Sequence, residues 1–391
     1  MQLYILILLL LFVNFWGIKP FGLLTNDQQL IVLLIYLLYG CYKYRKRKQI
    51  RICNKYLYLK WIVLSILLSM IPAFLFYNQS IIQSIITYRT QFLLPCTIIT
   101  MFVISPKLEE IMKALLMFSA ILLGANILKK VNPNLFVISD EVIERVLRGD
   151  MSALNVVIGV EYITILLFYY LQKIKEKFTL NDFYKSLFCF LVIFMTENRS
   201  SIFPAAVFMI YTFAFVRSKY KVFIWIMCAF IVVTFTVQNV EVITSLLDET
   251  TAQLDDEDYN RNKALMMYLW GFNPHWLCYI LGNGFLSAHS SRIMQTMMDN
   301  GVYNSDVGFI GYWNQFGLIP IIAMFMMYVK TLRSKIFPYF MKLIVAFSVV
   351  CGVTIIYYGM KHTMMHFVLF YYLFFYFTER QMRTEERTII H

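Results

Sequence analysis

A few charged side chains stand among long apolar runs: Arg89, Arg145, Arg148, Arg199, Arg261 and Arg292, the carboxylates Glu161, Glu197 and Asp306, and His289. A guanidinium is a planar, permanently charged fork that meets phosphate oxygens two at a time. A carboxylate or imidazole accepts a proton from a hydroxyl when its surroundings bring its pKa near neutrality. Each residue also has a plainer reading. Arg89, Arg145 and Arg148 reach lipid head groups by snorkelling, Glu161 pairs with a base to hold helices together, and His289 is a solvated loop histidine. Arg199 and Glu197 share the short polar stretch TENRSS.

Other patterns carry less chemistry. The acidic run at 255–258 lacks the glycine and the ligand spacing of a calcium loop and reads as a solvated face. GNGF at 282–285 lacks the GK[ST] of a phosphate loop, and no nucleotide-binding motif occurs elsewhere. The seven cysteines show no CxxC spacing, and most sit inside apolar runs as packing residues. Trp270, Trp276 and Trp313 suit stacking on sugar faces, or an interfacial aromatic belt. No metal site and no cofactor is expected.

These residues need elements to hold them, and composition names the elements. The chain of 391 residues is 60% hydrophobic and 15% charged, against roughly 45–50% and about 25% in soluble domains. The excess is spread along the whole length, so the expected fold is all-α, one polytopic transmembrane unit over 1–391. Spans of roughly 20 apolar residues fit about twelve times. They are expected near 2–18, 27–42, 58–77, 91–105, 112–128, 152–171, 185–197, 201–216, 222–238, 305–329, 340–358 and 363–378. The opening MQLYILILLLLFVNFW has no basic leader and no small-x-small cleavage site, and reads as a first span.

The net charge of +12 is what basic cytoplasmic loops produce, and no nucleic-acid partner is expected. The cluster KYRKRKQIR at 43–51 orients the chain. With that loop inside, alternation puts 107–113, 173–177, 217–221, 330–335 and both termini inside as well. It leaves 78–90, 129–151 and a long polar stretch, 239–304, outside. That stretch is expected to fold as short helices on the outer surface before the tenth span.

Two stretches then carry a resemblance. FLVIFMTENRSSIFPAAVFMIYTF at 190–213 looks like a helix, polar hairpin and returning helix. LGNGFLSAHSS at 281–291 and VYNSDVGFIGYWNQFGLIPII at 302–322 look like a G-x-G-F at the end of a long external loop and a span ending in a Gly-Leu-Ile turn. In order and spacing, residues 185–330 resemble the O-antigen polymerase and ligase family of bacterial envelope glycosyltransferases. Asn304-Ser305-Asp306 stands where the ligase branch usually has a His-Asn pair, which favours the polymerase branch.

The resemblance implies an enzyme of the bacterial inner membrane. It would polymerise oligosaccharide repeat units on polyprenyl diphosphate at the periplasmic face, for O-antigen, capsule or exopolysaccharide. Arg199 is implied as the main grip on the diphosphate, with Arg89, Arg148 and Arg261 beside it. Asp306 is implied as the base, with His289 and Glu161 behind it, and Glu197 belongs to the substrate-binding set. Implied partners are the lipid-linked oligosaccharide, membrane lipid, a chain-length regulator and a flippase. The alternatives are a ligase of the same family and a lipid-linked oligosaccharide flippase, which should show two pseudo-repeated halves.

Overall fold

The computed structural model describes residues 1–19, 21–47, 55–138, 154–215, 260–287, 302–353 and 358–390, with 222, 225, 295 and 356 singly. Among the described residues the fold is all-helical, and the one β-type pairing is an isolated bridge between Ile18 and Phe136.

Helices begin where the sequence supplies caps. Thr25 opens α2 (Asn26–Tyr44), after α1 (Gln2–Phe12), with its hydroxyl on the Gln28 N–H and the Gln28 side chain returning to its own N–H. Apolar α3 (Leu57–Leu68) runs almost directly into α4 (Met70–Tyr77), which stops where Asn78 turns left-handed. Ser80 and Gln83 repeat the reciprocal cap at α5 (Ile81–Thr87). Then come α6 (Leu93–Ile104) and the long α7 (Leu108–Val131).

Leu57–Tyr77 and Leu108–Val131 are each long and apolar enough to cross a membrane. Ile81–Thr90 and Leu93–Ile104 together would make a third crossing, bent by 48°. The chain continues with α8 (Val160–Glu176), α9 (Leu180–Met195), α10 (Arg199–Ala214), α11 (Asn260–Met266), α12 (Trp276–Leu281), α13 (Gly308–Phe316), α14 (Leu318–Arg333), α15 (Tyr339–Gly352) and α16 (Lys361–Ile390). Helix overlaps each expected span except 222–238, nearly all of which lies outside the described residues, but among the described residues only Leu57–Tyr77 and Leu108–Val131, or three crossings with the bent pair, are long and apolar enough to cross.

Three expected spans are broken, each for a local reason. The first stops at Phe12, because Asn14, Phe15 and Trp16 turn left-handed. That turn lets the Trp16 indole donate to the Ile158 carbonyl at 2.9 Å and pack on Phe118. The span expected from 152 becomes helical at Val160, since Asn126 holds the non-helical backbone of Val156 by its N–H, at 2.7 Å, and its carbonyl. Glu161 therefore lies in the first turn of α8 rather than midway along a span. The span over 305–329 breaks at Gly317, φ +78°, between α13 and α14.

Packing divides the helices into two kinds. Every residue of α16 from Met364 to Phe375 is buried, and α8 is buried almost as completely, as expected of helices apolar all round. Others present apolar stripes outward: on α2, Ile31, Ile35, Leu38 and Tyr42 are 56–69% exposed at helical spacing. Similar stripes run along α3–α4, α7, α10 and α14. Exposed apolar surface of this extent marks contact with an apolar surrounding; of these stripes, those on α3–α4 and α7 lie on the two helices long and apolar enough to cross a membrane.

The helix ends sort into two groups. Arg47 meets Glu110 at 3.4 Å, Tyr371 donates to the Lys55 carbonyl, Tyr372 donates to the Pro106 carbonyl, and Lys330 lies over the Phe374 ring. Those contacts gather the basic loops expected on one side. At the other end Gln91 donates to the Gly359 carbonyl at 2.6 Å, and Lys130 meets Glu197 at 3.6 Å.

Candidate functional site

At that second end is a cavity of about 760 Å³. Its wall is drawn from the end of α1, the start of α2, the turn after α5, Ile158 before α8, Phe285 with Ser287, and the Gly359–His362 entry to α16. Every one of these segments is an external loop or the outer end of a span in the alternation read from sequence. Phe12, Val13, Leu30, Ile86 and Phe285 make an apolar side, and Asn14, Asn26, Gln29, Arg89, Ser287 and Lys361 a polar one. The volume lies within the range of small-molecule sites.

Two cations line this cavity. Arg89 donates from Nε to Asp27 Oδ1 at 2.6 Å and from Nη1 to the Ile86 carbonyl at 2.7 Å, a cation capping the last turn of α5. Lys361 donates to Gln29 Oε1 at 3.0 Å. Burial pushes its amine down to about 8. Burial, and then the charge of Lys361, push His362 down to about 4, so its imidazole is neutral near pH 7. The carbonyl of His362 accepts from the Tyr162 hydroxyl.

The wall at 285–287 is pinned by buried polar side chains. Gln79 accepts from the Ser287 N–H at 2.9 Å and donates to the Phe285 carbonyl at 3.2 Å and to Ser84 at 3.0 Å. The Tyr88 hydroxyl accepts from the Phe285 N–H at 2.8 Å and contacts Ser69 at 2.9 Å. Behind this wall the two parts of the second sequence stretch meet. The Asn283 N–H donates to the Asn314 carbonyl at 2.7 Å, and the Gly284 N–H to the Gln315 carbonyl at 2.9 Å. Asn283 also joins Tyr77 and Asn273 at 2.8 and 2.6 Å. GNGF is therefore threaded into the interior, with Asn283 fully buried, rather than laid on the outer surface.

Of the residues expected at a site, Arg89 lines the cavity. Glu197 sits between α9 and α10 with φ +54°, paired with Lys130. Glu161 is buried at the start of α8, and its Oε2 has no hydrogen-bond partner among the described residues. Asp306 lies in the turn Asn304–Val307, where the Ser305 hydroxyl donates to it at 3.2 Å. Burial, and then the Asp306 carboxylate, push the nearby Tyr268 phenol up. Neither Glu161 nor Asp306 lines the cavity.

Arg199 is the first residue of α10, and the next carbonyl, of Ser200, accepts from Cys351. Arg261 lies in α11. The side chains of these two arginines are outside the described residues, as are Arg145, Arg148, His289, Arg292 and the acidic run at 255–258. Trp270 and Trp276 are exposed, and Trp313 donates to the Tyr279 carbonyl at 2.7 Å. Among the described residues no three His, Cys, Asp or Glu side chains converge as a metal cage.

Sequence reasoning passed over Lys361 and His362, which line the cavity, and Gln79 and Gln91, which hold the lining residues Phe285, Ser287 and Gly359. A signal existed for the first two: GMKHTMMH separates the last two apolar runs, at a place the sequence alternation expects outside. Compared with known protein families, curated proteins and solved structures, the chain finds no match in any of the three.

Proposed function

We propose that this chain is a membrane-embedded glycosyltransferase. It joins oligosaccharide repeat units carried on polyprenyl diphosphate at the periplasmic face of the bacterial inner membrane, and the Arg89–Lys361 cavity receives the diphosphate. The observation that carries the reading is the union, in one cavity, of two cations and an apolar wall, drawn from segments that the sequence alternation expects on one face. A diphosphate with a hydrocarbon tail needs both. The guanidinium meets phosphate oxygens as a fork, and the ammonium adds a point charge that strengthens when an anion arrives.

In this reading an acceptor hydroxyl attacks the anomeric carbon of the donor. The bond from that carbon to the diphosphate oxygen breaks, and the diphosphate leaves with the electron pair. The hydroxyl proton passes to a base; Asp306, ahead of His289 and Glu161, holds that place on sequence resemblance alone, because neither Asp306 nor Glu161 lines the cavity. Arg199, Arg148 and Arg261 stay in the proposal on sequence resemblance, as do Glu197 in the substrate-binding set, the count of about twelve spans and the cytoplasmic termini.

The test is the glycan made by a deletion strain. Single repeats exposed on the periplasmic side support a polymerase. Single repeats retained on the cytoplasmic side point instead to a flippase, and full-length polymer stranded on its carrier points to a ligase. Complementation with Arg89→Gln or Arg199→Ala should restore protein but not long chains. Normal chain length with both variants would remove these arginines from the reaction.

A further inference from the structure

A second cavity, about 700 Å³, opens between α3 and α14 at the end where the basic loops gather. Along α14 its lining runs from Ile322 through Met326 and Val329 to Lys330 and Arg333, with Tyr58 on the α3 side. The lining is therefore apolar along most of its length and cationic at one end. Ile322 to Arg333 covers 11 steps of about 1.5 Å, or about 16 Å. That is close to half of the roughly 30 Å hydrocarbon core, the depth of one leaflet.

The apolar part belongs to the outward stripe of α14: Ile322, Met326 and Val329 are all exposed. Lys330 and Arg333 are exposed too, and neither has a carboxylate partner among the described residues. Lys330 is steered by the Phe374 ring, 5.6 Å from its Nζ. Both cations lie in the last turn of α14, where unpaired carbonyls favour positive charge without neutralising it. An occupant matching this surface has a hydrocarbon chain about one leaflet long and a negative group at its end.

We propose that this groove is a binding site for one anionic phospholipid of the leaflet on the side of the basic loops. Its acyl chain lies along Ile322–Val329, and its phosphate oxygens accept from the guanidinium fork of Arg333 and from Lys330. The site is separate from the Arg89 cavity and does not depend on the reaction proposed there. Basic pockets between membrane helices on the cytoplasmic side recognise acidic head groups by the same physics.

Native mass spectrometry of the full-length protein in detergent tests it. Phosphatidylglycerol and phosphatidylcholine of identical acyl chains are titrated separately, and inorganic phosphate is added in a parallel thermal-shift series. The wild type should retain one phosphatidylglycerol with an affinity at least about tenfold above that for phosphatidylcholine. Lys330→Gln/Arg333→Gln should lose that preference. So should Arg333→Gln alone, which leaves the Lys330–Phe374 contact intact. Lys60→Gln, an exposed cation of α3 outside the groove, should keep it. Equal retention of both lipids, an unchanged preference in the double variant, or the same thermal shift with inorganic phosphate would each overturn the proposal.

Discussion

The Arg89 guanidinium and the Asp27 carboxylate are 2.6 Å apart at the edge of the cavity, with side chains 41% and 65% exposed. A pair so exposed contributes about 0–1 kcal/mol to stability. Its consequence is for binding: Asp27 occupies the Nε donor that an incoming phosphate would use. Asp27→Asn keeps the shape and removes the charge. It should leave thermal stability nearly unchanged and tighten binding of a soluble prenyl diphosphate analogue several-fold, measured by titration calorimetry. Weaker binding by Asp27→Asn would mean that the acid positions Arg89 rather than competing for it.

Gly282 and Gly317 hold GNGF against the start of α14. Their φ angles are +83° and +78°, and an added Cβ would lie 2.3 Å from the Gln315 carbonyl oxygen and 2.1 Å from the Ile280 carbonyl oxygen. Strain of this kind costs about 1–3 kcal/mol before the clash with backbone is counted. Gly282→Ala and Gly317→Ala should each lower the midpoint of thermal unfolding in detergent. Gly124 has nothing within 4 Å of its Cβ position, so Gly124→Ala should be neutral within about 1 kcal/mol. Equal midpoints for all three variants would show that the two stretches do not pack as described.

Lys361 gives a pH dependence with a definite sign. Its amine is held at about 8 by burial, against 10.5 when unperturbed. Between those values the unfolded chain binds the proton and the folded chain does not, so stability rises with pH across that window. Below about 8 the buried ammonium is charged and the cost of its burial is fully present. Anion binding runs the other way, because a diphosphate needs the ammonium form and above about 8 must bring a proton with it. Affinity for the diphosphate analogue should therefore fall as pH rises through 8. Lys361→Arg, charged throughout, should lose that limb, and a falling limb retained in Lys361→Arg would assign the titration elsewhere.

Particular residues show what the sequence disclosed. Capping pairs such as Thr25–Gln28 and Ser80–Gln83 are local, and they mark helix starts without any knowledge of the fold. Apolar runs located the helices but not their environments: Met364–Phe375 reads like a lipid-facing span, yet it is enclosed by other helices. Hydropathy measures how apolar a segment is, not what covers it. The break after Phe12 depends on a carbonyl at Ile158, far along the chain, which no local pattern encodes. Arg89 was legible as a cation beside an apolar run. Lys361 was hidden by the shortness of its hairpin, and Gln79 and Gln91 by their polarity, which reads as solvent exposure until their partners are seen.

Gln79 is the most demanding polar group behind the cavity wall, because its one amide serves both directions of the backbone it holds. Its Oε1 accepts from the Ser287 N–H, while its Nε2 donates to the Phe285 carbonyl and to Ser84, all inside a fully buried side chain. Gln79→Ala strands a buried donor and a buried acceptor, each costing about 1–3 kcal/mol. Gln79→Glu keeps the volume and the acceptor but turns an oxygen toward the Phe285 carbonyl, so it should be at least as harmful. Hydrogen exchange at 285–287 should quicken in both variants, while the distant backbone around Leu59, held by Tyr371, stays protected. Affinity for the diphosphate analogue should fall in step, because Phe285 and Ser287 line the Arg89 cavity. If exchange quickens at 285–287 while affinity stays at the wild-type value, that wall takes no part in holding the ligand, and the bound diphosphate rests on Arg89 and Lys361 alone.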